Sequence, residues 1–170
     1  ISRENAISII TENISNKSII VSTTGMISRE LYEKRSESKQ DRSKDFLTVG
    51  SMGHASQIAT GISLDQRDRP VYCFDGDGAS LMHMGSMAVS GTKCLPNFIH
   101  IVFNNGCHES VGGQPTVAQQ ISLSQVASSL GYKFTKTVRD EKTLINAING
   151  AKKFHSTSFI EVLKTLKSSL

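Results

Sequence analysis

Short apolar segments alternate along the chain with segments whose apolar residues recur at helical spacing. The first pattern predicts strands and the second predicts helices. The strand at 71–74 is apolar without interruption, as expected of a strand that is buried on both faces. Predicted strands cover 18–22, 46–49, 71–74, 98–103, 132–137 and 158–163, and predicted helices cover 6–14, 28–34, 53–64, 79–90, 123–130 and 141–153. This alternation favours right-handed βαβ units, so we expect an α/β fold with three layers, α/β/α, and a mostly parallel sheet.

The predicted loops differ in character. The run at 35–44 is charged and of low complexity, which predicts an exposed loop. The turn after the strand at 71–74 and the glycine-rich stretch at 106–115 instead follow predicted strands directly. In parallel α/β folds, ligands bind at the carboxyl ends of the strands. The functional residues are therefore expected in these two loops.

Length and composition limit the class of protein. With 170 residues, of which 38% are hydrophobic, the chain can form one packed core, and we expect a single domain over 1–170. No run approaches the roughly 20 apolar residues that cross a bilayer. The amino end has no signal-like apolar stretch, which predicts a soluble, cytoplasmic protein without a membrane partner. The absence of Met at position 1 suggests that another segment precedes Ile1.

The charge argues against a nucleic-acid-binding protein, and the cysteines argue against a disulfide-stabilised or zinc-binding one. The net charge of +4 is spread over the chain, there is no Trp, and 6% of the residues are aromatic, so we expect no nucleic-acid partner. Cys73, Cys94 and Cys107 are odd in number and lack a CxxC spacing. This argues against both a disulfide framework and a zinc site.

A polar turn follows the strand at 71–74, and a pair of amides follows the next predicted strand. The turn has the sequence Asp-Gly-Asp-Gly at 75–78, and the pair is Asn104–Asn105. Both lie where neighbouring strands end. Asp77 can supply a carboxylate oxygen and Asn105 an amide oxygen to Mg²⁺, which takes only a few protein oxygens and keeps positions for phosphate and water.

The same turn suits a phosphate group. Gly76 and Gly78 permit close approach of the backbone, and a helix that opens at Ala79 would present unpaired N–H groups. A plain polar turn is the structural alternative. A calcium loop of the EF-hand type does not fit, because Ala79 and Ser80 occupy positions that need Asp or Asn and then Gly. A dinucleotide site does not fit, because no G-x-G-x-x-G follows the first strand.

Together, the two motifs resemble the thiamine-diphosphate signature of the decarboxylase, acetolactate synthase and transketolase enzymes. The resemblance implies the cofactors thiamine diphosphate and Mg²⁺, bound in a diphosphate-domain fold. It also implies the backbone carbonyl of Cys107 as a third metal ligand beside Asp77 and Asn105. Thr24 and Gly25, which end the first strand, match a further diphosphate contact of the family, although a plain turn explains them equally well.

The stretch at 50–55 resembles the pyrimidine end of the same cofactor site. There the carbonyl of Gly50 would accept a hydrogen bond from the amino group of the pyrimidine. Met52 would lie beneath the cofactor and hold it in a V conformation, a contact that suits a flexible thioether. The alternative for Met52 is an ordinary core position.

The stretch at 108–116 carries the most specific resemblance. Its sequence, His-Glu-Ser-Val-Gly-Gly-Gln-Pro-Thr, resembles the loop of phosphonopyruvate decarboxylases, and its last five residues also look like the β subunit of sulfopyruvate decarboxylase. His108 and Glu109 favour the phosphonopyruvate enzymes. The resemblance covers most of 23–116. One departure is Asn104, where phosphonopyruvate decarboxylases often carry Asp before the ligand Asn.

His54, His108 and Glu109 are the candidate catalytic residues. A lone His is also common as a satisfied structural residue, so both histidines keep that alternative. Arg29 either meets an anionic group of the substrate or lies on the surface of a helix. No motif includes the remaining histidines, His83, His100 and His155.

The resemblance implies decarboxylation of a 2-oxo acid, above all of 3-phosphonopyruvate to phosphonoacetaldehyde and CO₂. In this family a glutamate on a separate pyrimidine-binding domain activates the cofactor, and no segment here matches such a domain. We therefore expect the chain to need a pyrimidine-binding domain or an α subunit, in a homo-oligomer or hetero-oligomer, and to be inactive alone. A sulfopyruvate decarboxylase β subunit, a noncatalytic binding module and a transketolase-like carboligase remain alternatives, the last expected to lack the Gly-Gly-Gln-Pro-Thr loop.

Overall fold

The structure, a computed structural model, describes residues 1–164. The strands are β1 (Ile19–Ser22), β2 (Asp45–Leu47), β3 (Val71–Gly76), β4 (Phe98–Asn104), β5 (Cys107–His108), β6 (Gln114–Pro115), β7 (Phe134–Val138) and β8 (Ser158–Leu163). The helices are α1 (Arg3–Asn13), α2 (Met26–Glu37), α3 (Ala55–Asp65), α4 (Asp77–Met82), α5 (Met84–Thr92), α6 (Leu123–Ser129) and α7 (Glu141–Lys153). Within residues 1–164, no helix combines the length and the hydropathy that a membrane span requires.

Six strands form one parallel sheet in the order β2-β1-β3-β4-β8-β7. The short strands β5 and β6 form a separate antiparallel pair in the loop after β4. The chain runs from β1 outward to β2 and then returns to β3 on the other side of β1, so the strand order reverses between β1 and β3. Such a reversal leaves a crevice at the carboxyl ends of these strands.

Helices cover both faces of the sheet. On one face, α1, α2 and α7 pack against apolar side chains that include Ile20, Phe74 and Ile101. On the other face, α3, α5 and α6 pack against side chains that include Val21 and Phe159. The central strands β3 and β4 are buried along almost their whole length. The predicted α/β fold with three layers and a parallel sheet is confirmed.

The bounds predicted for α7 and β8 match the structure. Asp140 begins α7 with a capping box, in which its side chain accepts from the N–H of Thr143 at 2.8 Å and its own N–H donates to the Thr143 hydroxyl at 3.4 Å. These bonds satisfy backbone groups at the start of the helix. The buried side chains recur at helical spacing, at Leu144, Ala147, Ile148 and Ala151.

The predicted exposed loop at 35–44 is wrong at its start. Helix α2 continues to Glu37, and Arg35 is buried. The Nε and Nη2 atoms of Arg35 donate to the carboxylate of Asp45 at 3.0 and 3.1 Å. Asp45 begins β2, so the ion pair joins the end of α2 to the edge strand. The charged residues of the segment predicted a solvated loop. The sequence alone does not show that Arg35 has a buried partner in Asp45.

Two other predicted elements also differ from the structure. The predicted helix at 79–90 is two helices: α4 starts earlier, at Asp77, and the helical path breaks at His83, where φ is −130° and ψ is 43°. The ring of His83 packs against that of His54 at an interplanar angle of 52°, with centroids 4.3 Å apart. The predicted strand at 132–137 begins only at Phe134, because Tyr132 turns its ring into the core against Phe159.

The Arg35–Asp45 ion pair predicts an effect on stability. Replacement by Met leaves the Asp45 carboxylate buried without its cation, so we expect Arg35→Met to lower the free energy of unfolding by about 3 kcal/mol. The neighbouring pair Lys34–Glu37 is more exposed and offers a matched control, for which Lys34→Met should cost much less than Arg35→Met. Urea denaturation measures both values. Equal, small losses would show that the buried pair does not anchor α2.

Candidate functional site

A pocket of about 100 Å³ lies at the carboxyl ends of β1, β3 and β4. Three segments line it: the residues after β1, the turn between β3 and α4, and the loop after β4. The lining residues from these segments include Thr23, Thr24, Gly76, Asp77, Gly78, Ala79, Asn105, Cys107, His108 and Glu109. The pocket thus occupies the crevice where the strand order reverses. It brings together most of the residues that the sequence motifs predicted.

Asp77 is the first residue of α4 and is almost fully buried. Its carboxylate accepts a hydrogen bond from the hydroxyl of Thr116. Burial raises the pKa of Asp77, and the Thr116 bond and the nearby backbone N–H groups of Gly78 and Asn105 oppose the rise only in part. Among residues 1–164, no Lys or Arg side chain forms an ion pair with it. Such a carboxylate suits a cation that enters the pocket.

Asn105 follows β4, and both ends of its side-chain amide are hydrogen-bonded. Its Nδ2 donates to Oε2 of Glu109 at 3.0 Å, and its Oδ1 accepts from the N–H of Cys107 at 3.2 Å. An amide oxygen has two lone pairs, so Oδ1 keeps one acceptor position. The backbone N–H of Asn105 also helps to lower the pKa of Asp77, and both residues line the pocket. The two predicted metal ligands are therefore neighbours at the edge of the sheet.

Asn104, the first amide of the pair, has a different environment. Its Nδ2 donates to the buried carboxylate of Glu161 at 2.8 Å, and its Oδ1 accepts from the N–H of Gly106 at 3.1 Å. It does not line the pocket. An Asp at this position would bring two buried carboxylates together. Glu161 thus accounts for the amide at a position where phosphonopyruvate decarboxylases often carry Asp.

The loop after β4 packs over the turns that follow β1 and β3. A Cβ atom at Gly78 would lie 2.5 Å from Cε1 of His108, and a Cβ atom at Gly25 would lie 3.6 Å from Oγ of Ser110. Gly25 also has a φ of +95°, which residues with side chains rarely adopt. Gly78 thus lets the loop approach the turn after β3 closely, whereas Gly25 is favoured by its backbone conformation. As a result, His108 borders the pocket beside the turn that contains Asp77.

Glu109 is held by two cations that lie outside the sequence motifs. Nη1 of Arg3 donates to Oε2 of Glu109 at 2.8 Å, and Nζ of Lys164 lies 3.5 Å from Oε1. Burial alone would raise the pKa of Glu109, but the hydrogen bonds and positive charge of Arg3 and Lys164 outweigh it and lower the pKa. Arg3 also donates to Glu30 at 2.6 and 2.7 Å, which joins α1 and α2 to this loop. Glu109 is therefore ionised at neutral pH.

Thr23 has a buried hydroxyl with no hydrogen-bond partner. Among residues 1–164, Thr23 Oγ1 and Ser156 Oγ are the buried side-chain polar atoms without one. Thr23 lines the pocket, whereas Ser156 does not. Buried polar atoms are nearly always satisfied, so the Thr23 hydroxyl fits a ligand oxygen in the pocket. Thr24 and Gly25 were the predicted diphosphate contacts, and Thr23 was missed because its only sequence signal is its position at the end of a strand.

The segment predicted to contact the pyrimidine lies only in part at the pocket. Met52 is half-buried and lines it, whereas Gly50 and His54 are exposed and do not. The ring of His54 instead packs against that of His83. Arg29 is exposed on α2 and also does not line the pocket. The roles proposed for Gly50, His54 and Arg29 stay predictions.

Comparison with known proteins identifies decarboxylases as relatives. The chain is 39% identical to a phosphonopyruvate decarboxylase of Streptomyces hygroscopicus over 132 residues, which are 78% of this chain and 31% of that protein. It is 36% identical to the sulfopyruvate decarboxylase subunit beta of Methanocaldococcus jannaschii over 147 residues, which are 84% of this chain and 75% of that protein. The chain thus spans less than a third of the phosphonopyruvate decarboxylase that it matches.

A solved structure and a family model agree with these relatives. A thiamine diphosphate-dependent 4-hydroxybenzoylformate decarboxylase of Rhodococcus jostii has the same fold, with a TM-score of 0.79 and 18% identity over 99% of this chain and 33% of that one. Residues 23–162 match the family model described as "Thiamine pyrophosphate enzyme, C-terminal TPP binding domain". The chain therefore belongs to the family of C-terminal TPP-binding domains of thiamine pyrophosphate enzymes.

Proposed function

We propose that the chain binds thiamine diphosphate through Mg²⁺ and forms, with a pyrimidine-binding domain, the active site of a 2-oxo acid decarboxylase. The observation that carries the proposal is the meeting of three groups in one pocket: the buried carboxylate of Asp77, the amide of Asn105 and the unpartnered hydroxyl of Thr23. The phosphonopyruvate and sulfopyruvate decarboxylase relatives support the type of reaction. Thiamine diphosphate supplies the electron sink that lets CO₂ leave a 2-oxo acid.

Asp77 and Asn105 would hold the Mg²⁺, with the backbone carbonyl of Cys107 as the third protein ligand. Mg²⁺ prefers oxygen ligands and retains water and phosphate in its shell, so three protein oxygens suffice. The burial of Asp77 supports this assignment, because a divalent cation offsets the cost of a buried carboxylate. Glu109 supports it too, because its bond to Nδ2 of Asn105 fixes which end of the amide acts as the acceptor.

The diphosphate would lie against Thr23, Thr24 and Gly25 on one side and against the turn at 76–79 on the other. The Thr23 hydroxyl can donate to a phosphate oxygen, and the glycines of the turn permit close approach. Among residues 1–164, Arg3 is the only Lys or Arg that lines the pocket, and it already pairs with two carboxylates. The metal ion must therefore neutralise most of the diphosphate charge. Cofactor binding should consequently depend on Mg²⁺.

The size of the pocket supports a shared active site. Its volume of about 100 Å³ is below the roughly 300 to 1,000 Å³ of sites that enclose a whole small molecule. It can accommodate the diphosphate end, whereas the pyrimidine end would extend past Met52 toward another domain. The single diphosphate-binding domain over 1–170 would thus be one part of the complete enzyme. This division agrees with the small share of the phosphonopyruvate decarboxylase that the chain covers.

The candidate catalytic residues have different environments. Glu109 is ionised and paired with Arg3 and Lys164, which makes it a poor proton donor, so we assign it to the orientation of Asn105. His108 lines the pocket beside Gly78 and is the better candidate to meet the substrate. His54 does not line the pocket, so it would contact only a substrate that extends out of the pocket.

For the substrate we propose 3-phosphonopyruvate, which would give phosphonoacetaldehyde and CO₂. The pair His108–Glu109 in the loop after β4 favours it over other 2-oxo acids. Sulfopyruvate is the second candidate, because the chain is also 36% identical to a sulfopyruvate decarboxylase subunit beta. Either activity would require a pyrimidine-binding domain or an α subunit as partner.

Replacement of Asp77 tests the metal and diphosphate assignment. Isothermal titration calorimetry of the complete enzyme, with its pyrimidine-binding domain, should detect thiamine diphosphate binding with Mg²⁺ and none after chelation. We expect Asp77→Ala to abolish this metal-dependent heat, because the only carboxylate ligand of the site is lost. Asp68→Ala, at an exposed turn outside the pocket, provides the control and should bind normally. Unchanged binding by Asp77→Ala would contradict the assignment.

Assays of the separated domain test the need for a partner. The purified chain alone should release no CO₂ from phosphonopyruvate, even with saturating thiamine diphosphate and Mg²⁺, because the glutamate that activates the cofactor lies on another domain in this family. Adding the pyrimidine-binding domain should restore turnover, and offering sulfopyruvate in parallel distinguishes the two substrates. Robust turnover by the isolated, monomeric chain would refute the two-domain proposal.

A further inference from the structure

A buried row of polar side chains lies beneath the turn that contains Asp77. Asp75, at the end of β3, and His100, in β4, are fully buried, and Tyr132 is nearly so. Nε2 of His100 lies 3.3 Å from Oδ2 of Asp75, and Nδ1 of His100 lies 3.2 Å from the hydroxyl of Tyr132. The proposed function uses none of these side chains.

One arrangement of hydrogens satisfies the row. If the Tyr132 hydroxyl donates to Nδ1 of His100, then the N–H at Nε2 donates to the Asp75 carboxylate, and a neutral imidazole makes both bonds. Asp75 also accepts from the N–H of Gly76 at 3.0 Å and from the hydroxyl of Ser80 at 3.3 Å. Each ring nitrogen of His100 and each oxygen of Asp75 then has a partner inside the protein.

The row is not arranged as a second metal site. The ligand atoms of Cys73, Asp75 and His100 lie within 4.8 Å of one another, a spacing that a metal ion could bridge. Burial, however, raises the pKa of the Cys73 thiol well above its ordinary value, and the Asp75 carboxylate raises it further, so no thiolate is present. The oxygens of Asp75 are already occupied by hydrogen bonds, and all three residues are closed off from solvent.

Asp75 connects the row to the cofactor pocket. Its two oxygens bond to Gly76 and Ser80, which stand on either side of Asp77 in the sequence. It therefore clamps the turn that presents the metal carboxylate. His100 supports this clamp from β4, the strand that leads to Asn105. In the sheet, His100 pairs with Cys73 of β3. The contact between His100 and Asp75 thus ties the residue before the turn to the middle of β4.

We propose that His100 and Tyr132 are positioning residues which, through Asp75, hold the turn at 76–80 in the geometry that binds Mg²⁺ and the diphosphate. This inference rests on the proposed function. Without these contacts the protein would still fold, but the turn would be less ordered. Cofactor binding would then have to order the turn, so the affinity for the cofactor would fall. A purely structural row would lower stability without changing affinity in the remaining folded protein.

A pair of His100 variants tests the bond to Asp75. His100→Leu keeps the volume and removes the donor, whereas His100→Gln keeps an N–H donor on the side chain. In the complete enzyme, we expect His100→Leu to raise the Kd of thiamine diphosphate at fixed Mg²⁺ about tenfold, the factor that corresponds to one lost hydrogen bond to a charged group. We expect His100→Gln to restore most of the affinity. Urea denaturation of the same samples measures the change in stability separately.

A pair of tyrosine variants tests the far end of the row and also serves if His100→Leu does not fold. Tyr132→Phe removes the hydroxyl that faces His100, and Tyr72→Phe removes a hydroxyl from an equally buried tyrosine on the opposite face of the sheet. We expect Tyr132→Phe to raise the Kd about threefold, since the bond is between neutral groups and acts indirectly. Tyr72→Phe should leave the Kd unchanged.

The titrations separate failure of this inference from failure of the proposed function. Wild-type protein that shows no Mg²⁺-dependent binding would overturn both. Wild-type protein that binds and Asp77→Ala that does not would support the proposed function. If, in that case, His100→Leu and Tyr132→Phe kept the wild-type Kd, the positioning role would be overturned alone. Equal Kd values for His100→Leu and His100→Gln, both above wild type, would also overturn it, because the donor at position 100 would then be irrelevant.

Discussion

The burial of the Asp77 carboxylate is the constraint on which the site depends. A carboxylate removed from water needs donors or a cation, and here Thr116 and backbone N–H groups supply donors without fully offsetting the burial. The nearby groups add no uncompensated negative charge, because Asn105 is neutral and Glu109 is paired with two cations. In the proposed site, one carboxylate beside a divalent ion would leave excess positive charge, which an anionic diphosphate requires.

The parallel sheet assembles this pocket from segments that are distant in the sequence. β1, β3 and β4 are neighbours, so the residues that follow each of them meet at one edge, and the reversal of strand order between β1 and β3 leaves room there. The loop after β4 then folds back over the turn after β3, where Gly78 accommodates His108. With a volume of about 100 Å³, the pocket can hold only part of a ligand longer than a diphosphate. Under the proposed function, another domain would enclose the rest of that ligand.

The sequence predicted the fold well where local interactions decide the structure. Helix α7 matched its predicted bounds because a cap at Asp140 and a regular apolar face lie within the segment itself. The prediction failed where a distant partner decides. Arg35 is helical and buried because Asp45 neutralises it, and the predicted helix at 79–90 breaks at His83, whose ring packs against that of His54. Charge and periodicity within a segment do not contain that information.

The candidate site follows the same division. Asp77 and Asn105 were found because each lies in a short motif directly after a strand, and the parallel sheet brings those strand ends together. Arg3 was missed because it meets Glu109 across 106 positions of sequence. Thr23 and His100 were missed because a threonine at a strand end and a histidine within an apolar strand are each compatible with an ordinary fold. Thr23 is distinguished by a buried hydroxyl without a hydrogen-bond partner, and His100 by a buried imidazole with two such partners. Both properties exist only after the sheet has formed.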